Sequence, residues 1–180
     1  MLEWDELGKA FADDIHGYNY KNNAIDAISA YAHEYSRTSL IEKLATLLLV
    51  NKIKPGKTHR AFCELQFDIV CTTNFEFLLE ASYASISKFC QPIIDEEQLS
   101  ISAKAGVSLL KLHGDLHHPK RLVATEEDYD KFLNNYPMLA TFLANLLITR
   151  TALFIGYSLD DADFRQGLIS VCRDGVFSFA

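Results

Sequence analysis

The run from Phe67 to Glu80, FDIVCTTNFEFLLE, constrains the fold more than any other stretch of the chain. Its first part, Phe67 to Cys71, is short, apolar and rich in branched residues, which reads as a buried strand. In its second part, Phe75, Leu78 and Leu79 recur at helical spacing with Glu76 and Glu80 between them. The polar Thr72, Thr73 and Asn74 therefore fall where a strand hands over to a helix. Ligands of open α/β sheets bind at such carboxyl ends of strands. A plainer alternative makes this an ordinary βα turn, with Asn74 as the N-cap of the following helix.

The same arrangement recurs. Val107 to Leu112, VSLLKL, is a second buried-strand candidate and ends in His113, Gly114 and Asp115. Gly114 beside His113 would let a ligand approach the backbone closely. Thr151 to Gly156, TALFIG, is a third. Behind it come Tyr157 and Ser158, then Asp160, Asp161 and Asp163, acids that suit the start of a closing helix through Phe164, Leu168 and Ile169. Ser158 is either a ligand contact or a cap of that helix. If the three strands are parallel neighbours, the three polar sets line one crevice. Weaker strand candidates are Ser87 to Ile94, interrupted at Pro92, and Leu122 with Val123.

The residues before Phe67 read as helices. Leu2, Trp4, Leu7, Phe11 and Ile15 share one face, with Gly17 as a stop, and Ala24 to Tyr35 forms a second helix. Ser39 and Glu42 have the spacing of a capping box and open a third helix through Val50. Lys54 to Lys57 is a loop, after which Thr58 caps a short helix into the central strand. Asp95 to Ser102 is a loop or short helix. Further on, Thr125 and Asp128 cap a helix carrying Tyr129, Phe132 and Leu133. Pro137 suits the first turn of another, Met138 to Thr149.

Bulk properties exclude several classes. A net charge of -7 argues against a broad basic surface for nucleic acid. No apolar stretch is long enough to span a bilayer, and MLEWDEL lacks the character of a signal peptide. A cytoplasmic protein with no membrane partner follows. The four cysteines stand singly, without a CxxC pair for zinc or a context that lowers a thiol pKa. His16, His33 and His59 share no ligand spacing, and His117 and His118 read as solvent-side loop residues.

CTTNFEFLLE, KLHGD, LVATEEDYDKF and LFIGYSLDDADF, in this order, resemble the sirtuin-like domain of bacterial NAD-consuming proteins. The resemblance runs from about Phe67 to Val171. It implies a Rossmann-like parallel sheet with helices on both faces and an N-terminal helical module, all within one domain: 1–66 helical, 67–180 Rossmann-like. It also implies an antiphage defence effector that hydrolyses NAD to nicotinamide and ADP-ribose, as a homo-oligomer or with a partner protein, and without zinc. Residue by residue, Asn74 matches the asparagine that positions the nicotinamide ribose and the attacking water, and His113 the catalytic histidine. Gly156, Tyr157 and Ser158 match the loop that touches the phosphates and adenosine ribose. Thr72, Thr73 and Gly114 would shape the pocket. Glu76 stands where the family usually has aspartate, so its carboxylate reaches one methylene further. The family normally opens with a strand and a GAG-type glycine loop. No such loop occurs in these 180 residues, so the expectation is a sheet lacking its usual first strand, in a chain that is a fragment of a longer protein, a mis-started reading frame or a degenerate member.

The chemistry suits these residue types. Cleaving the nicotinamide–ribose bond builds positive charge on the sugar, and nicotinamide leaves neutral, so no strong acid is needed. An asparagine amide orients water or a hydroxyl through donor and acceptor atoms, and a histidine of ordinary pKa near 6.5 removes a proton at physiological pH. A structural role for a buried His113 is the alternative. At the level of the whole chain, the alternatives are an inactive NAD-binding or interaction module and, less favoured without zinc cysteines, an NAD-dependent protein deacylase.

Overall fold

The computed structural model describes residues 2–48, 52–100 and 106–156. The chain divides into two compact units, Met1–Asp128 and Tyr129–Ala180.

The first unit holds an α/β, Rossmann-like open sheet preceded by a helical module. Four helices come first: α1 (Trp4–Ala12), α2 (Ala24–Glu34), α3 (Arg37–Leu47) and α4 (Lys57–Glu64). Their starts differ in detail from the expected ones. Ser36, not Ser39, caps α3, its hydroxyl accepting from the Ser39 N–H at 3.1 Å. Gly56 rather than Thr58 occupies the N-cap of α4, where His59 Nδ1 accepts the Gly56 N–H at 3.3 Å. In each case a polar side chain near the start was recognised, and the backbone N–H that needed it lay elsewhere. Leu7, Phe11, Ile28, Tyr31, Leu40 and Leu44 fill the core of the module.

Then follow β1 (Ile69–Thr72), α5 (Leu78–Ser85), β2 (Cys90–Ile93) and β3 (Val107–Lys111). All pairings are parallel, in the order β1-β3-β2. The central β3 is the most buried, as a strand with neighbours on both sides should be. Pro92 does not interrupt β2 but sits inside it, opposite Leu109. It is tolerated because β2 is an edge of this sheet, where an N–H on the open side has no ladder partner to lose. Residues 96–100 form a 3₁₀ turn. Leu122 and Val123 are buried but join no ladder, so the expected short strand there is absent.

The unit ends as α6 (Glu126–Asp130) begins. Asp128 Oδ2 accepts the Ala124 and Thr125 N–H groups at 3.0 Å each, and Thr125 Oγ1 takes the Asp128 N–H, the reciprocal cap read from sequence.

The second unit contains α7 (Phe132–Asn135) and α8 (Pro137–Thr149), with Pro137 in the first turn as expected. Residues 151–155 are not a strand. They run without ladder bonds, and Leu153, Phe154 and Ile155 are exposed. An apolar run marks a buried strand only where a neighbouring strand takes its backbone groups, and composition cannot supply that neighbour. The expected closing helix and Asp160, Asp161 and Asp163 lie outside the described residues. Among the described residues no helix is long and apolar enough to cross a membrane.

Candidate active site

The carboxyl ends of β1 and β3 lie side by side. Thr72 pairs with Lys111 in register, and the Leu112 N–H donates to the Thr72 carbonyl at 2.9 Å. Asn74 and His113 each stand two residues beyond that last pair, so the parallel ladder delivers both to the same end of the sheet. Two of the three polar sets read from sequence are thus neighbours. The third is not placed at a strand end: Gly156 belongs to the other unit, at φ +77°, and Tyr157 and Ser158 lie outside the described residues.

The loop carrying Asn74 is anchored from both sides. Phe75 is buried in the helical core, with Phe11, Leu44 and Leu122 in the same cluster. Burying a phenylalanine side chain is worth about 2–3 kcal/mol, enough to fix the loop where a polar turn alone would sway. Thr72 Oγ1 accepts the Asn74 N–H at 3.2 Å. Asn74 is exposed, and it does not cap the next helix, which starts only at Leu78. That N-terminus is served by Glu76, whose Oε2 accepts the Leu78 N–H at 2.8 Å while Oε1 accepts Asn74 Nδ2 at 2.9 Å. Glu76 is only 5% exposed.

Lys111 lies beneath this loop. It is the one charged residue in the apolar run of β3, and its side chain is fully buried. Nζ donates to the Glu76 carbonyl at 2.6 Å, pairs with Glu80 at 2.8 Å and sits 4.5 Å from the centre of the Phe77 ring. Sequence reading passed over Lys111; the available signal was a lone cation inside a buried strand, next to the polar cluster.

Around His113 the chain turns sharply. Gly114 has φ +73°, and a Cβ there would lie 2.6 Å from the Arg121 carbonyl oxygen. The close backbone approach expected of a ligand at Gly114 is therefore made by the chain's own 121–122 segment. The Val123 N–H donates to the His113 carbonyl at 3.0 Å. Asp115, nearly buried, accepts the His117 and His118 N–H groups and lies 2.8 Å from His118 Nδ1. His117 stacks on Phe77 at 4.1 Å. The covering segment is held by Arg37, which donates to the Leu122 carbonyl and to Asp128.

His113 is not the near-neutral base suggested by its residue type. Burial pushes its pKa down to about 3, the Arg121 guanidinium acts in the same direction, and the Asp128 carboxylate opposes them. The residue as a whole is half-buried, and the surrounding protein removes most of the solvation that an imidazolium needs. His113 is thus a neutral acceptor across the physiological range. Asp128 is itself held below the ordinary carboxylate range: burial would raise it, and the hydrogen bonds from Ala124, Arg37 and Thr125 outweigh burial. Among the described residues no group of three or more His, Cys, Asp or Glu could hold a metal ion.

Residues 68–175 match the SIR2-like domain family. The chain is 25% identical over 164 residues to an NAD(+) hydrolase ThsA of Cytobacillus dafuensis, covering 91% of this chain and 33% of that protein. It is 24% identical over 163 residues to the NAD(+) hydrolase ThsA of Bacillus cereus strain MSX-D12, covering 89% and 34%. A Defense-associated sirtuin 2 of Bacillus subtilis is 33% identical over 95 residues, covering 51% of this chain and 9% of that protein. The chain spans about a third of the length of the NAD(+) hydrolases it matches.

Proposed function

We propose that this chain, which belongs to the SIR2-like domain family, hydrolyses NAD to nicotinamide and ADP-ribose at the carboxyl ends of β1 and β3. The observation that supports this most is the ladder register that carries Asn74 and His113 to the same end of the sheet, in a chain similar to proteins named NAD(+) hydrolases.

Water adds to the anomeric carbon of the nicotinamide ribose as the carbon–nitrogen bond breaks. The electron pair of that bond stays with nicotinamide, which leaves neutral, and one proton goes to solvent. Asn74 holds the ribose hydroxyl or the water. His113 accepts a proton from the water as it bonds to the sugar. A base of pKa near 3 suffices for this step, because water bonded to a cationic sugar carbon is a far stronger acid than the imidazolium. Thr72 and Thr73 border the reacting end of NAD. The defence name of the Bacillus subtilis relative supports a role in antiphage defence, in the cytoplasm where NAD resides, as a homo-oligomer or with a partner protein.

The test is nicotinamide release from NAD by the purified chain, with His113→Ala as control. A positioned base typically contributes about 100- to 10,000-fold, and one of pKa near 3 stands at the low end of that range, so release should fall about 100-fold while the far-ultraviolet spectrum is unchanged. Turnover retained in the variant refutes the assignment of His113. The absence of release from the parent chain refutes NAD hydrolysis by it.

A further inference from the structure

Glu76 is placed to decide which atom Asn74 offers a ligand. Its two carboxylate oxygens are both engaged, Oε1 by Asn74 Nδ2 and Oε2 by the Leu78 N–H. A carboxylate accepts and does not donate, so the amide atom facing it must be the nitrogen. Asn74 Oδ1 is then the atom left over, on an exposed side chain beyond the carboxyl end of β1, and among the described residues nothing takes it. Glu76 cannot drift: it is nearly buried, its carboxylate is tied to the first turn of α5, and its carbonyl receives Lys111 Nζ at 2.6 Å. We propose that Glu76 is a positioning residue that locks the Asn74 amide with Nδ2 inward and Oδ1 outward, so that Asn74 meets its ligand as an acceptor, of a ribose hydroxyl or of water.

The identity of that ligand rests on the reading of NAD hydrolysis given above; the lock itself does not. Glu76→Gln separates the two. An amide in place of the carboxylate has one acceptor for two donors. The Leu78 N–H is part of a helix and cannot turn away, so it keeps the acceptor. The NH2 group then faces Asn74, which is exposed and free to rotate by half a turn. Asn74 thereby presents its nitrogen to the ligand, with helix and fold intact. Adding Asn74→Asp to this variant replaces the rotated amide with a carboxylate, which accepts on both sides and carries the same net charge as the original pair.

The experiment measures kcat and KM for NAD in the parent chain, in Glu76→Gln and in the double variant, together with side-chain amide hydrogen exchange at Asn74 by nuclear magnetic resonance. Glu76→Gln should lower kcat about 100-fold with KM changed by less than about threefold, and the double variant should recover at least a tenth of the parent kcat. The Asn74 side-chain amide should exchange about tenfold faster in Glu76→Gln than in the parent. Unchanged exchange overturns the lock, and a double variant no better than Glu76→Gln overturns the acceptor role. If the parent releases no nicotinamide, NAD hydrolysis fails on its own, and the exchange measurement alone decides whether the lock exists.

Discussion

Acidification should destabilise this fold through His113 well above the pH at which carboxylates titrate. Unfolded, the imidazole has an ordinary pKa of 6.5; folded, it is pushed to about 3, chiefly by burial. Between these values the unfolded chain binds a proton that the folded chain refuses, so stability rises with pH across this window and is lost as pH falls through it. The loss is complete near pH 3 and negligible above pH 7. Each unit is worth about 1.4 kcal/mol. From pH 7.5 to pH 4.5 the full effect is about 2.7 kcal/mol, and solvent screening at this half-buried residue brings the expectation to about 2 kcal/mol. Stopping at pH 4.5 keeps clear of Asp128, whose carboxyl is held below 3.8 and whose contribution is lost only on further acidification. The assay is urea unfolding at several pH values for the parent and for His113→Gln, which cannot titrate. The difference between the two curves isolates this one group. A difference that stays constant within about 0.5 kcal/mol from pH 7.5 to 4.5 refutes the argument. It would mean that His113 protonates alike in both states and is an ordinary near-neutral base after all. The kinetic counterpart is an acid limb of kcat/KM that shows no inflection near pH 6.5.

Two glycines should resist substitution for different reasons. At Gly114→Ala both the left-handed backbone and the clash with the Arg121 carbonyl act, so we expect a loss of about 2–4 kcal/mol in urea unfolding, with weakened nicotinamide release because His113 adjoins the displaced turn. At Gly8→Ala the backbone is ordinary helix, but the added Cβ would meet Ala24 Cα and Tyr20 Oη, each at 2.6 Å; overpacking where α1 crosses α2 should cost about 1–3 kcal/mol by the same measurement and leave KM for NAD unchanged.

The strand ends were legible in the sequence because each consists of local residues: an apolar run that stops at a polar cluster shows in a window of ten. Hence Thr72 to Asn74 and His113 to Asp115 could be located before any coordinates, and the helical module before them as well. What failed depended on a partner far along the chain. TALFIG has the composition of VSLLKL, yet only the latter has strands on both sides to take its backbone groups. Asn74 looked like a cap because caps are inferred from spacing. The residue that serves the α5 N-terminus is Glu76, and it shows itself only when the Leu78 N–H is seen against its carboxylate. The electrostatics of His113 were hidden for the same reason, since Arg121 and Asp128 reach it through the folding back of the 121–128 segment, which Arg37, more than eighty residues earlier, holds down. A motif thus names the group that faces the ligand, but its protonation state and the atom it presents are set by residues outside the motif. Lys111, 35 residues from the Glu76 carbonyl it holds, belongs to that second set, and for this reason an assignment of Asn74 and His113 from their motifs alone leaves open whether each donates or accepts.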